Sequence, residues 1–207
     1  MTLGRRAAAR AASAVFCALI AGAAHGGPFD GLYDPAALAE RQQLYPKFVL
    51  GAFQELIQPK LTPEEHRRLD HVRFTFPQSI PGWEPFGFRS GSGGIELSIA
   101  SLKFINDELS AYAWLGRHGY SPNTIDDYVA MLKHWRTDAR PPQPLAALDI
   151  PADARDDPDT DRLATLFIRS AYLFTVLHEL GHVLHDDRPA QTLAPDAAQA
   201  QEVAADA

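Results

Sequence analysis

One long apolar segment, from Asp159 to Leu184, dictates much of the architecture of this chain. Its apolar residues recur at helical spacing and cover nearly the whole helix surface rather than a single stripe. One face is formed by Leu163, Leu166, Phe167, Phe174, Leu177 and Gly181, and much of the rest by Leu173, Val176, Leu180, Val183 and Leu184. A helix that is apolar nearly all round is buried at the centre of a domain. The sequence therefore predicts a central helix with Asp159 or Thr160 as its N-cap.

The remaining patterns predict shorter elements around that helix. Alternating apolar residues predict two short strands, and helical spacing or capping signals predict the helices. The predicted strands are 71–76 and 95–99. The predicted helices are 35–57 with a break at Pro46, a helix that begins after Thr62 as its cap, 101–116 and 122–136. Proline-rich stretches predict a loop at 77–94 and a long surface connection at 137–158. The expected fold class is α+β, mostly helical with a small sheet.

The first 24 residues have the three-part pattern of a secretory signal. Arg5, Arg6 and Arg10 form a basic start, residues 11–21 are small and apolar, and small residues suited to a signal peptidase follow near Ala23 or Ala24. An N-terminal membrane anchor is the alternative, but the apolar run is short for a bilayer. We therefore expect a cleaved signal at 1–24, a mature domain at 25–207, and a periplasmic or secreted protein.

Composition excludes several classes of function for the mature chain. The only cysteine, Cys17, lies in the predicted signal, which excludes disulfides, cysteine zinc sites and a cysteine nucleophile. Removing the three signal arginines takes the formal net charge from −7 to −10. Such an acidic protein is poorly suited to binding nucleic acid. No segment after the signal is expected to cross a membrane, and the sequence leaves the oligomeric state open.

A polar motif, His178-Glu179-Leu180-Gly181-His182, interrupts the apolar helix near its end. Residues four apart on a helix share a face, so both imidazoles can bind one ion, and imidazole nitrogen is a common ligand of Zn²⁺. Glu179 would stand beside the open coordination position and take a proton from water. Chance produces this spacing on the order of once per hundred chains. Burying three such groups unpaired would cost several kcal/mol, which favours a metal site.

A third zinc ligand is predicted downstream. The metzincin pattern fails, because His185 and Arg188 occupy the positions of its glycine and third histidine. Glu202 lies 20 residues after His182, and Asp206 follows one helical turn later. The intervening loop is long enough to reverse the chain, so a helix beginning near residue 196 could bring Glu202 to the metal. Asp206 on the same face could then accept the second ring N–H of a ligand histidine.

These two half-motifs resemble the gluzincin (thermolysin-like) zinc metallopeptidases, whose signature is H-E-x-x-H followed on the next helix by E-x-x-x-D. The resemblance covers residues 177–207. It implies that His178, His182 and Glu202 bind Zn²⁺, that Glu179 is the general base, and that Asp206 orients a ligand histidine. It also implies a sheet whose edge strand holds an extended peptide. Residues 95–99 are one choice for that strand; an ordinary core strand is the alternative.

The expected function is thus an exported zinc-dependent peptidase, and two alternatives stay open. One is a non-catalytic domain in which zinc stabilises the fold. The other is a cytoplasmic regulatory peptidase, since short regulators with H-E-L-G-H also carry a histidine three residues later, often with asparagine in the place of Asp206. The chain ends one residue after Asp206, where larger gluzincins continue to a histidine or tyrosine oxyanion donor. Three alternatives are open: the oxyanion donor comes from upstream in the chain, the protein is a minimal version of the gluzincin domain, or the sequence is a truncated fragment.

Overall fold

The computed structural model describes residues 32–79, 87–91, 94–135, 141–185, 187 and 193–206. The predicted signal, 1–24, lies outside these residues. The helices are α1 (Pro35–Arg41), α2 (Leu44–Ala52), α3 (Pro63–Leu69), α4 (Ile99–Arg117), α5 (Asn123–Lys133), α6 (Pro144–Ala147), α7 (Pro158–Leu184) and α8 (Pro195–Ala205). The strands are β1 (Arg73–Thr75), β2 (Phe88–Gly91) and β3 (Gly94–Leu97). The predicted α+β class, mostly helical with a small sheet, is confirmed.

Capping explains where several helices begin. At α3 the predicted start is confirmed: the Thr62 hydroxyl accepts from the Glu65 N–H at 3.3 Å, and the Glu65 carboxylate accepts from the Thr62 N–H at 2.6 Å. At α7 the predicted cap is wrong. Asp157 is the N-cap and accepts the Thr160 N–H at 2.9 Å. Pro158 starts the helix two or three residues earlier than predicted, because its φ is already helical and it has no N–H to satisfy.

The three strands form one sheet in the order β1-β3-β2, with β1 parallel and β2 antiparallel to β3. The prediction that 77–94 is all loop is wrong, because this segment contains β2. The strand predicted at 95–99 is found as β3 in the centre of the sheet, which favours the ordinary core strand over a substrate-binding edge strand, and Ile99 already belongs to α4. β2 was missed because Phe-Arg-Ser-Gly has weak strand propensity and becomes a strand by pairing with β3.

The long helix α7 lies at the centre of the described domain, as predicted. It packs chiefly on α4 and also contacts α2, α3, α8 and both β2 and β3. Residues on its inner face are buried: Ala164, Ile168, Ala171, Tyr172, Thr175, Val176 and Leu180. The prediction that Leu166 and Leu177 share a packed face is wrong, because these side chains are 59% and 50% exposed. One side of α7 therefore faces away from the core.

By length and composition, α7 is also apolar enough to cross a membrane. The expectation that no segment after the signal could do so is therefore wrong on these criteria. Half of its most apolar window is nevertheless buried inside the domain. Core helices of soluble proteins share this length and composition, so these properties of α7 follow equally from its central position.

The connection before α7 is more structured than predicted. Residues 136–140 fall outside the described part of the chain, but the following stretch forms α6 and a 3₁₀ turn, Ala154–Asp156. Ile150 and Ala154 are buried and pack with Leu115 of α4 and Ile125 of α5. The prediction of a surface connection is wrong here, because a few apolar residues among the prolines and aspartates suffice to anchor the chain.

Candidate metal centre

One turn of α7 brings His178 and His182 together. Their Nε2 atoms are 3.1 Å apart and their ring planes are nearly perpendicular, at 86°. His178 is only 5% exposed and His182 is partly buried. Phe174, one turn earlier, stacks on the His178 ring at a centroid distance of 6.1 Å. The helix thus presents two neighbouring imidazole nitrogens at the end of the apolar core.

Helix α8 brings a carboxylate to the same point. The Glu202 Oε2 atom lies 3.1 Å from the Nε2 of His178 and 3.6 Å from the Nε2 of His182. Ligands at about 2.0–2.1 Å in tetrahedral geometry stand about 3.3 Å apart. The three separations bracket that value, and together these residues could hold a metal ion. Two imidazoles and a carboxylate suit Zn²⁺ and leave a fourth position open.

Each histidine is oriented by its own carboxylate. The His178 Nδ1 lies 2.8 Å from Asp206 Oδ1, and the His182 Nδ1 lies 2.9 Å from Asp187 Oδ2. A neutral ring that donates its Nδ1–H in this way directs the Nε2 lone pair toward Glu202. Two lone pairs and a carboxylate oxygen then converge on one point. Such a group of acceptors requires positive charge at its centre, from a metal ion or from protons.

Without a metal, protons supply that charge. Burial lowers the pKa of His182, but its hydrogen bonds to Glu202 and Asp187 outweigh that effect and raise the pKa to about 9. Burial likewise opposes protonation of His178, while hydrogen bonds to Glu202 and Asp206 raise its pKa overall. The same hydrogen bonds to His178 and His182 lower the pKa of Glu202 to about 2. A metal ion that binds here therefore has to compete with protons for the two imidazoles.

Gly181 explains how α8 can approach so closely. A Cβ atom at this position would lie 2.4 Å from the Ala205 carbonyl oxygen and 2.8 Å from its Cα. Any side chain would therefore collide with the backbone of α8. Ala205 is also the one described residue of α8 that is buried. The small residue between the two histidines is thus a packing requirement of the site.

Glu179 lies outside the metal-binding cluster, which consists of His178, His182 and Glu202. Glu179 is 6% exposed. Burial raises the pKa of Glu179, while a hydrogen bond from the Ser90 side chain on β2 partly offsets this effect. A raised pKa brings a carboxyl group closer to the range in which it can both accept and return a proton.

The structure brings together every residue that the sequence predicts for the site: His178, Glu179, His182, Glu202 and Asp206. His185 is exposed and lies outside the cluster.

Two further residues, Asp187 and Ser90, were missed. For Asp187 the available sequence signal was its position just beyond the end of the helix that carries His182. In the structure the Asp187 backbone N–H donates to the His182 carbonyl at 3.0 Å, and the chain turns back there. For Ser90 the sequence carries no signal, because β2 is distant in the chain.

Comparison of the chain with known protein families, characterised proteins and solved structures gives no match.

Proposed function

We propose that this protein is an exported zinc-dependent peptidase of the gluzincin type, with His178, His182 and Glu202 as ligands and Glu179 as the general base. The observation that carries the proposal is the convergence of three ligand atoms within 4.8 Å of one another, with a buried carboxyl group one residue away on the same helix. Export is supported by the N-terminal signal pattern.

Each residue has a defined task in this proposal. When bound, zinc would supply a Lewis acid that polarises a peptide carbonyl and lowers the pKa of a water molecule. Glu179 accepts the proton of the attacking water and returns it to the leaving amine. Asp187 and Asp206 keep the two imidazoles in the tautomer that turns Nε2 toward the ion.

The sheet offers a place for an extended substrate beside Glu179. Within the described chain β2 is an edge strand, it packs against α7, and its Ser90 reaches Glu179. Edge strands present unpaired backbone N–H and C=O groups, to which a peptide can add as a further strand. We therefore assign to β2 the substrate-binding role for which the gluzincin resemblance offered residues 95–99 as one choice.

Two substitutions test the proposal. Glu179→Gln should keep zinc and lose hydrolysis, because the amide cannot accept a proton. Glu202→Ala should lose zinc, measured by metal analysis of the purified protein, whereas the exposed His185→Ala control should retain it. Hydrolysis is measured with a diverse library of peptides.

Retained hydrolysis in Glu179→Gln would contradict the role of Glu179. A zinc-loaded wild type that cleaves no peptide would favour the alternative of a non-catalytic zinc domain.

A further inference from the structure

We propose that Ser90 is a positioning residue, which holds the Glu179 carboxylate in place by donating a hydrogen bond from the edge strand. This inference rests on the proposed role of Glu179 and adds a residue that neither the zinc motif nor the ligand helix contains. Ser90 acts through Glu179 and is not among the metal-binding residues.

The strand register places Ser90 on the correct face of the sheet. In the antiparallel β2–β3 pair, Ser90 lies opposite Ile95. Residues directly opposite each other project to the same face, and Ile95 is fully buried. Ser90 therefore points to the face that packs on α7. Its neighbour Arg89 lies opposite Glu96, with which it forms an ion pair.

Glu179 needs such a partner because helix geometry alone does not determine its conformation. A glutamate has three side-chain torsions, so its carboxylate can adopt several positions, including one closer to the metal-binding cluster. A serine has a short side chain with one torsion, and β2 anchors it through its pairing with β3. Donation of a hydrogen bond from the Ser90 hydroxyl to the buried carboxylate would favour a single orientation of Glu179 beside the three metal-binding residues.

The first test compares Ser90→Ala with Ser90→Thr in the zinc-loaded protein. Loss of the hydroxyl should lower kcat about tenfold with KM nearly unchanged, since the hydrogen bond orients the base and does not bind substrate. Threonine keeps the hydroxyl and suits a strand, so it should restore most of kcat. Thr75→Ala on β1 controls for general weakening of the sheet. Equal losses in the alanine and threonine variants would overturn the proposal.

The second test does not depend on turnover. Acetohydroxamate binds zinc through two oxygens and presents a proton to a neighbouring base, so its affinity reports the placement of Glu179. Ser90→Ala and Glu179→Gln should each weaken binding, and the double variant should be no weaker than Glu179→Gln alone. Additive losses, or unchanged affinity in Ser90→Ala, would overturn the role of Ser90. If the losses of acetohydroxamate affinity are non-additive but the protein cleaves no peptide, the positioning role of Ser90 stands and the proposed peptidase function is refuted.

Discussion

At the scale of single residues, the candidate site includes two carboxylates outside the group of three residues that could hold a metal ion. Asp206 and Asp187 each accept an Nδ1–H from one histidine, at 2.8 and 2.9 Å. They come from different parts of the chain, since Asp206 is the C-cap of α8 and Asp187 follows the end of α7. With the rings held in this way, both Nε2 atoms lie within 3.6 Å of the Glu202 Oε2 atom. Such pre-orientation raises metal affinity because less conformational freedom is lost on binding.

Removing either orienting carboxylate should weaken zinc binding. We expect Asp187→Ala and Asp206→Ala each to lower zinc affinity by about 10- to 100-fold, because the freed imidazole samples other tautomers and orientations. Competition with a chromophoric chelator measures the affinity. Asp127→Ala, at an exposed position on α5, serves as the control. If both site variants bind zinc like the control, the carboxylates do not orient the ligands.

Zinc binding should release protons near neutral pH. In the metal-free protein the pKa of His182 is raised from 6.5 to about 9, so this ring is protonated at pH 7. Its contribution to folding stability is fully present below the unfolded pKa of 6.5 and is lost as the pH rises through about 9. Because zinc requires neutral imidazole, its binding should release about one proton at pH 7, and its affinity should fall as the pH is lowered.

Calorimetric titration in two buffers of different ionisation enthalpy measures that proton release. An observed binding enthalpy that is the same in both buffers would show that no proton is released.

At the scale of elements, the candidate site is formed where helix α8 packs against helix α7. Within α8, Ala205 is the one described residue that is buried, and the large apolar side chain of Val203 is 67% exposed. The hold of α8 on α7 therefore depends on the close backbone contact at Gly181 and on the polar groups of the cluster. A helix with so little buried apolar surface gains much of its placement from the interactions of Glu202 and Asp206.

Gly181→Ala tests whether the close contact between α7 and α8 is required. The added methyl would lie 2.4 Å from the Ala205 oxygen, so α8 must move away. We expect a loss of about 1–3 kcal/mol in the free energy of unfolding, together with weaker zinc binding. Gly116→Ala on α4 is the matched control: it is a helical glycine with nothing within 4 Å of the added Cβ. That change should stabilise the protein by about 0.5–1 kcal/mol, because alanine favours a helix more than glycine does.

Chemical unfolding and chelator competition measure the two effects. If Gly181→Ala stabilises the protein as much as the control does, then the close contact is not required.

At the scale of the whole molecule, the core around α4 and α7 buries one carboxyl group that has no hydrogen-bond partner among the described residues. Glu108 on α4 is 2% exposed, and neither of its side-chain oxygens makes a hydrogen bond within the described part of the chain. Burial raises the pKa of Glu108 well above its ordinary value, and the charges of Asp126 and Asp107 add to that shift. An ionised carboxylate in this position would destabilise the fold, so the group is held as the neutral acid.

The stability of the fold should therefore depend on pH through Glu108. Its folded pKa is raised above 4.5, so its contribution is most favourable below that value and is lost as the pH rises toward the raised pKa. Relative to wild type, Glu108→Gln should gain up to about 1.4 kcal/mol in unfolding free energy per pH unit across that window. Urea unfolding of both proteins at a series of pH values gives this difference. A constant difference would show that Glu108 does not titrate in the folded state.

The sequence by itself determined the parts of this protein that depend on neighbours along the chain. The position of the central helix follows from the periodicity of its apolar residues, and the Thr62 cap follows from three adjacent residues. The pairing of His178 with His182 follows from the pitch of one helical turn. Glu202 could be named because it lies one helical turn before Asp206 on a predicted helix after the chain reversal, in a spacing that resembles the gluzincin E-x-x-x-D. These features are determined by local geometry, which spacing records directly.

Only the tertiary structure decided what meets across the chain. The order of the strands placed β3 in the centre and β2 at the edge, although the sequence gives β2 no strand signal. That pairing carries Ser90 to Glu179, 89 positions away, and the turn after α7 carries Asp187 back to His182. Such contacts depend on which surfaces pack and on how loops close. Their free energy belongs to pairs of residues distant in sequence, so no local pattern encodes them.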